Sequence, residues 1–368
     1  MSSSRALLVA TVSMAVALGA CGAPSTEDVD PSGGVASIEE PEAAGPDDDP
    51  AGAGSDERLG RGRSSDRGGA VSGGTHAPAP GPGEAFELSP DEMLPNAKQL
   101  AADVVQTLLT YEPDDTAAAI AERVAGEDRA QELVVSAARL WHEGAWSRGE
   151  IVYPQLGGFT DTSASVMVVA RQTVGSADGQ VREETRTLDV RLVIEDDEWV
   201  FDDLASAGGR PVERPPDLSD EAAAVVDDDR IELPDTARWD IYRGVIGHDL
   251  LELMALMAER SEYGVIVLDT GHPWEVFGTD RQSRHSLGRA VDLYRVGDAN
   301  VIDDREEGSE THDFMKWLYE QSRMTNMGGP WALDDFGGRS FTDDLHQDHL
   351  HIEANRRSQP PADARDPD

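Results

Sequence analysis

From Gly22 to about Gly83 the chain carries almost no large apolar side chains, and this is what most limits the folds open to it. A run of Gly, Pro, Ala, Ser and acidic residues buries too little surface to offset the entropy of ordering it. Folding must therefore be done by residues from about Phe86 onward, and what remains of the 368-residue chain suffices for two domains of ordinary size. Residues 22–85 read as an acidic tether, which as a random coil would reach roughly 45 Å.

Ahead of the tether, Arg5 and the apolar stretch Ala6 to Leu18 read as a secretory signal, too short to span a bilayer. The stretch closes on Leu18-Gly19-Ala20-Cys21, and Cys21 is the only cysteine in the chain. This ending resembles a bacterial lipobox. The resemblance implies that residues 1–21 are the processed signal and lipobox, and that lipidated Cys21 anchors an exported protein to the outer face of the cytoplasmic membrane. With Cys21 used there, no thiol remains for disulfides, and any metal must be held by His, Asp or Glu. A formal net charge of −41 argues against nucleic acid as a partner.

The apolar patterning predicts an α+β chain of two domains, 86–209 and 230–356, joined by a Pro-rich acidic linker over 210–229 and followed by a tail over 357–368. In the first domain, Ser89-Pro90-Asp91-Glu92 signals a helix start, with Leu94, Leu100, Val104, Val105, Leu108 and Leu109 at helical spacing. A second helix is expected from Ala117 and a third from Ala130 to Trp146. Strand-like runs follow at Glu150 to Val152, Ser165 to Thr173, Thr185 to Ile194 and Glu198 to Phe201, with turn signals at Gly157-Gly158 and Asp178-Gly179. Helices followed by such a meander resemble, in pattern, the cone-shaped ketosteroid isomerase and nuclear transport factor domains. That likeness implies a spacer or a ligand-binding role, and a deep apolar pocket under Trp141 would favour the latter.

The second domain opens on a helix predicted over Trp239 to Tyr263 and a buried strand over Gly264 to Asp269. A loop then runs through Thr270-Gly271-His272-Pro273 to Ser283-Arg284-His285-Ser286-Leu287-Gly288-Arg289-Ala290-Val291-Asp292. This places His285 and Asp292 seven apart, with Gly288 between them to permit a tight turn. Near the C-terminus, His346-Gln347-Asp348-His349-Leu350-His351-Ile352-Glu353 alternates polar and apolar residues, so a strand there sets His349 and His351 on one face.

At these residues the sequence resembles the LAS superfamily, which unites lysostaphin-type peptidases, D-alanyl-D-alanine metallopeptidases and the Hedgehog signalling domain. Its first motif, S-x-H-x-x-G-x-A-x-D, is matched by Ser283, His285, Gly288, Ala290 and Asp292, and its H-x-H by His349 and His351. The resemblance covers roughly Arg230 to Arg356 and implies an α+β domain with a central antiparallel sheet. It implies zinc held by His285, Asp292 and His351, with a fourth position left for water. It further implies peptidase action on peptidoglycan stem peptides or cross-links, with Asp348 at the general-base position and His349 steadying the water or the oxyanion. The chain has aspartate where peptidases that cut D-Ala termini commonly have glutamate. A regular pleat would point Asp348 away from His351, so a base role requires the strand to begin, or to bulge, just after it; otherwise Asp348 caps a turn and His349 takes its role. The usual arginine-bearing loop is replaced by Gly271-His272-Pro273-Trp274, which leaves Arg281, Ser283 and Arg284 as candidate substrate contacts. His272 and His346 are expected around the metal without binding it. The Hedgehog branch supplies an alternative, a zinc-containing binding module without catalysis.

Overall fold

The structure, a computed structural model, describes residues 79–81, 83, 85–335 and 337–355. The signal, Cys21, all but the last residues of the tether, and the 357–368 tail lie outside the described residues.

Helix α1, Pro95–Leu109, begins later than the Ser89 signal implies, with Pro95 in its first turn where a missing N–H costs nothing. Its buried face comprises Ala97, Ala101, Ala102, Val104, Val105, Leu108 and Leu109, together with one charged residue, Lys98. Helix α2, Ala117–Ser136, is capped by the Thr116 hydroxyl, which accepts from Ala119 N. The third helix expected over Ala130 to Trp146 is the second half of α2, beyond a kink at Gly126. It stops short of Trp146, because that residue opens strand β1 and packs its indole over Gly175 of the neighbouring strand.

Four strands, β1 (Trp146–Phe159), β2 (Ser163–Gly175), β3 (Val181–Glu195) and β4 (Glu198–Ser206), form an antiparallel meander in sequence order. Gly157-Gly158, expected as a turn, is instead a bulge within β1, and the chain reverses after Phe159. Helices α1 and α2 pack on one face of this sheet through Leu108, Leu140, Leu156, Val168 and Leu188. The other face is covered too. Tyr153, Met167 and Val169 pack against Ile266, Val267 and Tyr294, which is why β2 reads as a continuous apolar run and not an alternation.

The segment expected as linker contains a short helix, α3 (Asp220–Val226), capped by Ser219. The single helix predicted over Trp239 to Tyr263 is two, α4 (Asp235–Tyr242) and α5 (His248–Arg260), and Tyr263 already belongs to a strand. Between the helices, Val245 turns its carbonyl onto Gly288, and Gly247 N donates to Gly288 O.

Strands β5 (Ile231–Glu232), β6 (Tyr263–Val267), β7 (Ala290–Val296), β8 (Ala299–Asn300), β9 (Met324–Gly328), β10 (Ser340–Phe341) and β11 (Leu350–Ala354) build a second sheet, with α6 (Glu310–Tyr319) between β8 and β9. Its order is β10-β9-β11-β7-β6-β5, with β8 beside β7. The four central strands are antiparallel, as expected, and the edge pairs β5–β6 and β9–β10 are parallel. The chain is thus α+β, and all described residues fall in one compact unit.

Leu188 lies fully buried between α1 and the meander. Leu188→Ala is expected to cost about 2–5 kcal/mol by leaving a cavity, read as a lower urea midpoint with little change in slope.

Candidate metal centre

The centre of the second sheet brings the motif residues together. Asp292 on β7 pairs directly with His351 on β11, so two residues 59 apart in sequence stand side by side on adjacent strands. His285 enters from a single turn of 3-10 helix, His285–Leu287, that follows the long loop after β6. Ser283 holds that turn, its hydroxyl accepting from His285 N at 3.2 Å, while Ser286 Oγ donates to Trp274 O. Gly288 closes it at φ 64, where a Cβ would stand 2.0 Å from Val245 O, so the motif glycine is required both by conformation and by space.

Three ligand-type atoms converge here. His285 Nε2 lies 3.1 Å from Asp292 Oδ1 and 3.1 Å from His351 Nδ1, and His351 Nδ1 lies 2.9 Å from Asp292 Oδ1. Ligands around a tetrahedral ion at 2.0–2.1 Å would stand about 3.3 Å apart. Each atom is aimed from behind. His285 Nδ1 donates to Leu268 O at 2.8 Å, and a carbonyl can only accept, so the Nε2 lone pair faces the centre. His351 turns Nε2 to Glu353 Oε1 at 3.5 Å, and Asp292 Oδ2 accepts from Gln155 Nε2 at 2.6 Å.

His272, expected outside the ligand set, comes within reach of it. Its Nδ1 donates to Pro273 O, and its ring stacks on that of His285 at 4.0 Å between centroids. Gly271, at φ 93 and against Thr187 O, lets the loop pass close enough for this. The ligand atoms of His272, His285 and Asp292 all lie within 4.8 Å of one another, and this group could hold a metal ion.

The charges agree with that reading. Burial acts to raise the Asp292 carboxyl, yet the imidazoles of His285 and His349 hold it well below the ordinary carboxylate range. Burial, with His285 beside it, pushes His272 well below its usual value and keeps it neutral, as a ligand must be. His351 is raised to about 9, because hydrogen bonds to Asp292 and Glu353 outweigh its burial. The cluster is built to hold positive charge, a proton or a metal.

His349 and Asp348 divide differently from the expectation that Asp348 serves as base. Strand β11 begins only at Leu350, and Asp348 caps the turn before it. Its side chain is fully buried. Oδ1 accepts from His349 Nδ1 at 2.5 Å, and Oδ2 accepts from Leu156 N at 3.3 Å and from Lys98 Nζ. Both oxygens are engaged away from the ligand cluster, so Asp348 is placed to orient His349. The other ring nitrogen of His349, Nε2, stands 3.9 Å from Asp292 Oδ2 and faces the site.

Asp292 and His351, with His272 and His349, line a cleft of about 960 Å³ together with β1, the 272–289 loop and the 341–346 segment. Arg281 stands exposed on its rim; its backbone is held by Thr279 and Val276, and its guanidinium makes no hydrogen bond or ion pair among the described residues. Ser283 and Arg284 line the cleft as well, Arg284 paired with Glu353 at 3.2 Å and Ser283 accepting from His285 N. His346 lines the cleft with its Nδ1 on Asp343 Oδ1. Asp240, which sequence reasoning missed, is buried and accepts from Asp269 N, Thr270 N and Thr270 Oγ1, pinning the start of the loop that carries His272. No protein-family model, curated protein or solved structure matches the chain.

Gly288→Ala is expected to destabilise the protein by on the order of 1–3 kcal/mol through its positive φ alone, with the Val245 contact adding to it. Metal retained after dialysis, measured by atomic emission, falls with it, whereas Arg281→Ala leaves the metal content unchanged.

Proposed function

We propose that this chain is a zinc-dependent peptidase acting on peptidoglycan stem peptides or cross-links, as a carboxypeptidase or endopeptidase, at the outer membrane face to which lipidated Cys21 anchors it. The observation that carries the reading is the convergence of the ligand-type atoms of His285, Asp292 and His351 beside an open cleft. All donors are nitrogen or oxygen, a set that suits zinc, and His272 lies close enough to join them. Bound there, zinc would polarise a peptide carbonyl and activate water.

The chain's own residues do the rest. His349, held through Nδ1 by Asp348, takes a proton at Nε2 from the attacking water and returns it to the leaving amine. Arg281 on the rim offers a guanidinium to a substrate carboxylate, a group stem peptides carry at their ends. The localisation rests on the signal and lipobox pattern, and no helix among the described residues is long and apolar enough to cross a membrane.

A non-catalytic zinc-containing binding module is the second reading, favoured by one observation: the residue at the general-base position has both oxygens occupied. The open cleft over the ligand cluster weighs against it. Mass spectrometry of muropeptides incubated with the zinc-loaded protein separates the two. Defined cleavage products are expected from the native chain and none from His351→Ala, which also loses its metal. Intact muropeptides with zinc still bound would replace the peptidase by the binding module.

A further inference from the structure

Lys98 is fully buried on the apolar face of α1, and it is one of only two lysines in the chain. Its ammonium lies between Glu92 and Asp348, 250 residues away in sequence, and over the ring of Tyr153, whose hydroxyl donates to Glu92 Oε1. Beside it, β1 sends Leu156 N to Asp348 and Gln155 to Asp292. The candidate metal centre therefore takes three of its supporting contacts from the helix-and-meander part of the molecule.

We infer that Lys98 is a positioning residue that acts through Asp348 to hold His349 with its Nε2 lone pair toward the cleft. The inference rests on the peptidase reading only for the use made of His349. The physical chain is short. A carboxylate with no solvent contact stays ionised when a cation sits against it. Ionised, Asp348 can only accept, so His349 donates from Nδ1, and the neutral ring then carries its lone pair at Nε2. With the cation removed, Asp348 gains a proton and becomes the donor to Nδ1, and the ring's own proton moves to Nε2. The imidazole then faces the cleft with a donor where an acceptor is needed.

The test uses the full chain and long-range proton–nitrogen spectra of the His349 ring, which report the tautomer directly, at one alkaline pH where the ring is neutral in all samples. The native chain is expected to show a protonated Nδ1 and a bare Nε2, and Lys98→Met the reverse. Should Lys98→Met fail to fold, Asp348→Asn carries the test, since it keeps the Lys98–Glu92 pair. There Lys98 claims the amide oxygen, the amide NH2 faces Nδ1, and the ring again protonates at Nε2. In muropeptide cleavage both variants are expected to lose about 100-fold or more in kcat, with KM changed less than about twofold and zinc content unchanged. A folded, metal-replete variant that keeps the native ring pattern would overturn the inference, whether or not the native chain cleaves muropeptides. Failure of the native chain to cleave them, with the ring pattern reversed in the variants, would remove the peptidase reading and leave the positioning role of Lys98 standing.

Discussion

Two carboxylates, Asp292 and Asp348, are buried a few ångströms from three imidazoles, and their compensation governs how the two sheets meet. An unpaired ion in such a place costs several kcal/mol. Asp292 is met by His285 and His351 within the second sheet's own region, but its outer oxygen is met by Gln155 from the first. Asp348 depends on the first part of the molecule still more, through Lys98 and Leu156 N. The meander is therefore no mere spacer. Its packing through Tyr153 against Tyr294, at 5.3 Å between ring centroids, and the bond from Thr187 Oγ1 to Ile266 O hold it where these contacts form.

The parts of the site that were legible in the sequence are those whose geometry is local. His285, Gly288 and Asp292 share one turn and one strand start, and the alternation from Leu350 to Glu353 places His351 on the site-facing side of its strand. What was not legible comes from a distance. Gln155 lies 137 residues from its partner and Lys98 lies 250 from its own, and no spacing rule links segments that meet only when two sheets pack. One signal was present for Lys98, a lone cation on the apolar stripe of a helix, in a chain whose other cations, Lys316 apart, are arginines. The helix boundaries failed for a related reason. Apolar spacing continues from Ile241 through Val245 to Leu250, but the backbone at Val245 and Gly247 serves Gly288, a demand made by the motif and invisible within the helix.

One ammonium lies between two carboxylates, and their environments push the pair apart. Burial raises Glu92, and Lys98 only partly offsets this while Asp348 adds to it. Burial also acts to raise Asp348, but Lys98 and His349 together bring it down to about 2. Two acids sharing a site whose surroundings drive them in opposite directions have separate tasks. Asp348 keeps its charge and faces the imidazole. Glu92 lies on the other side of Lys98 and accepts from Tyr153. Asp348, one methylene shorter than a glutamate and capping a turn, meets Lys98 and the Nδ1 edge of His349 and leaves the Nε2 edge of that ring toward the cleft.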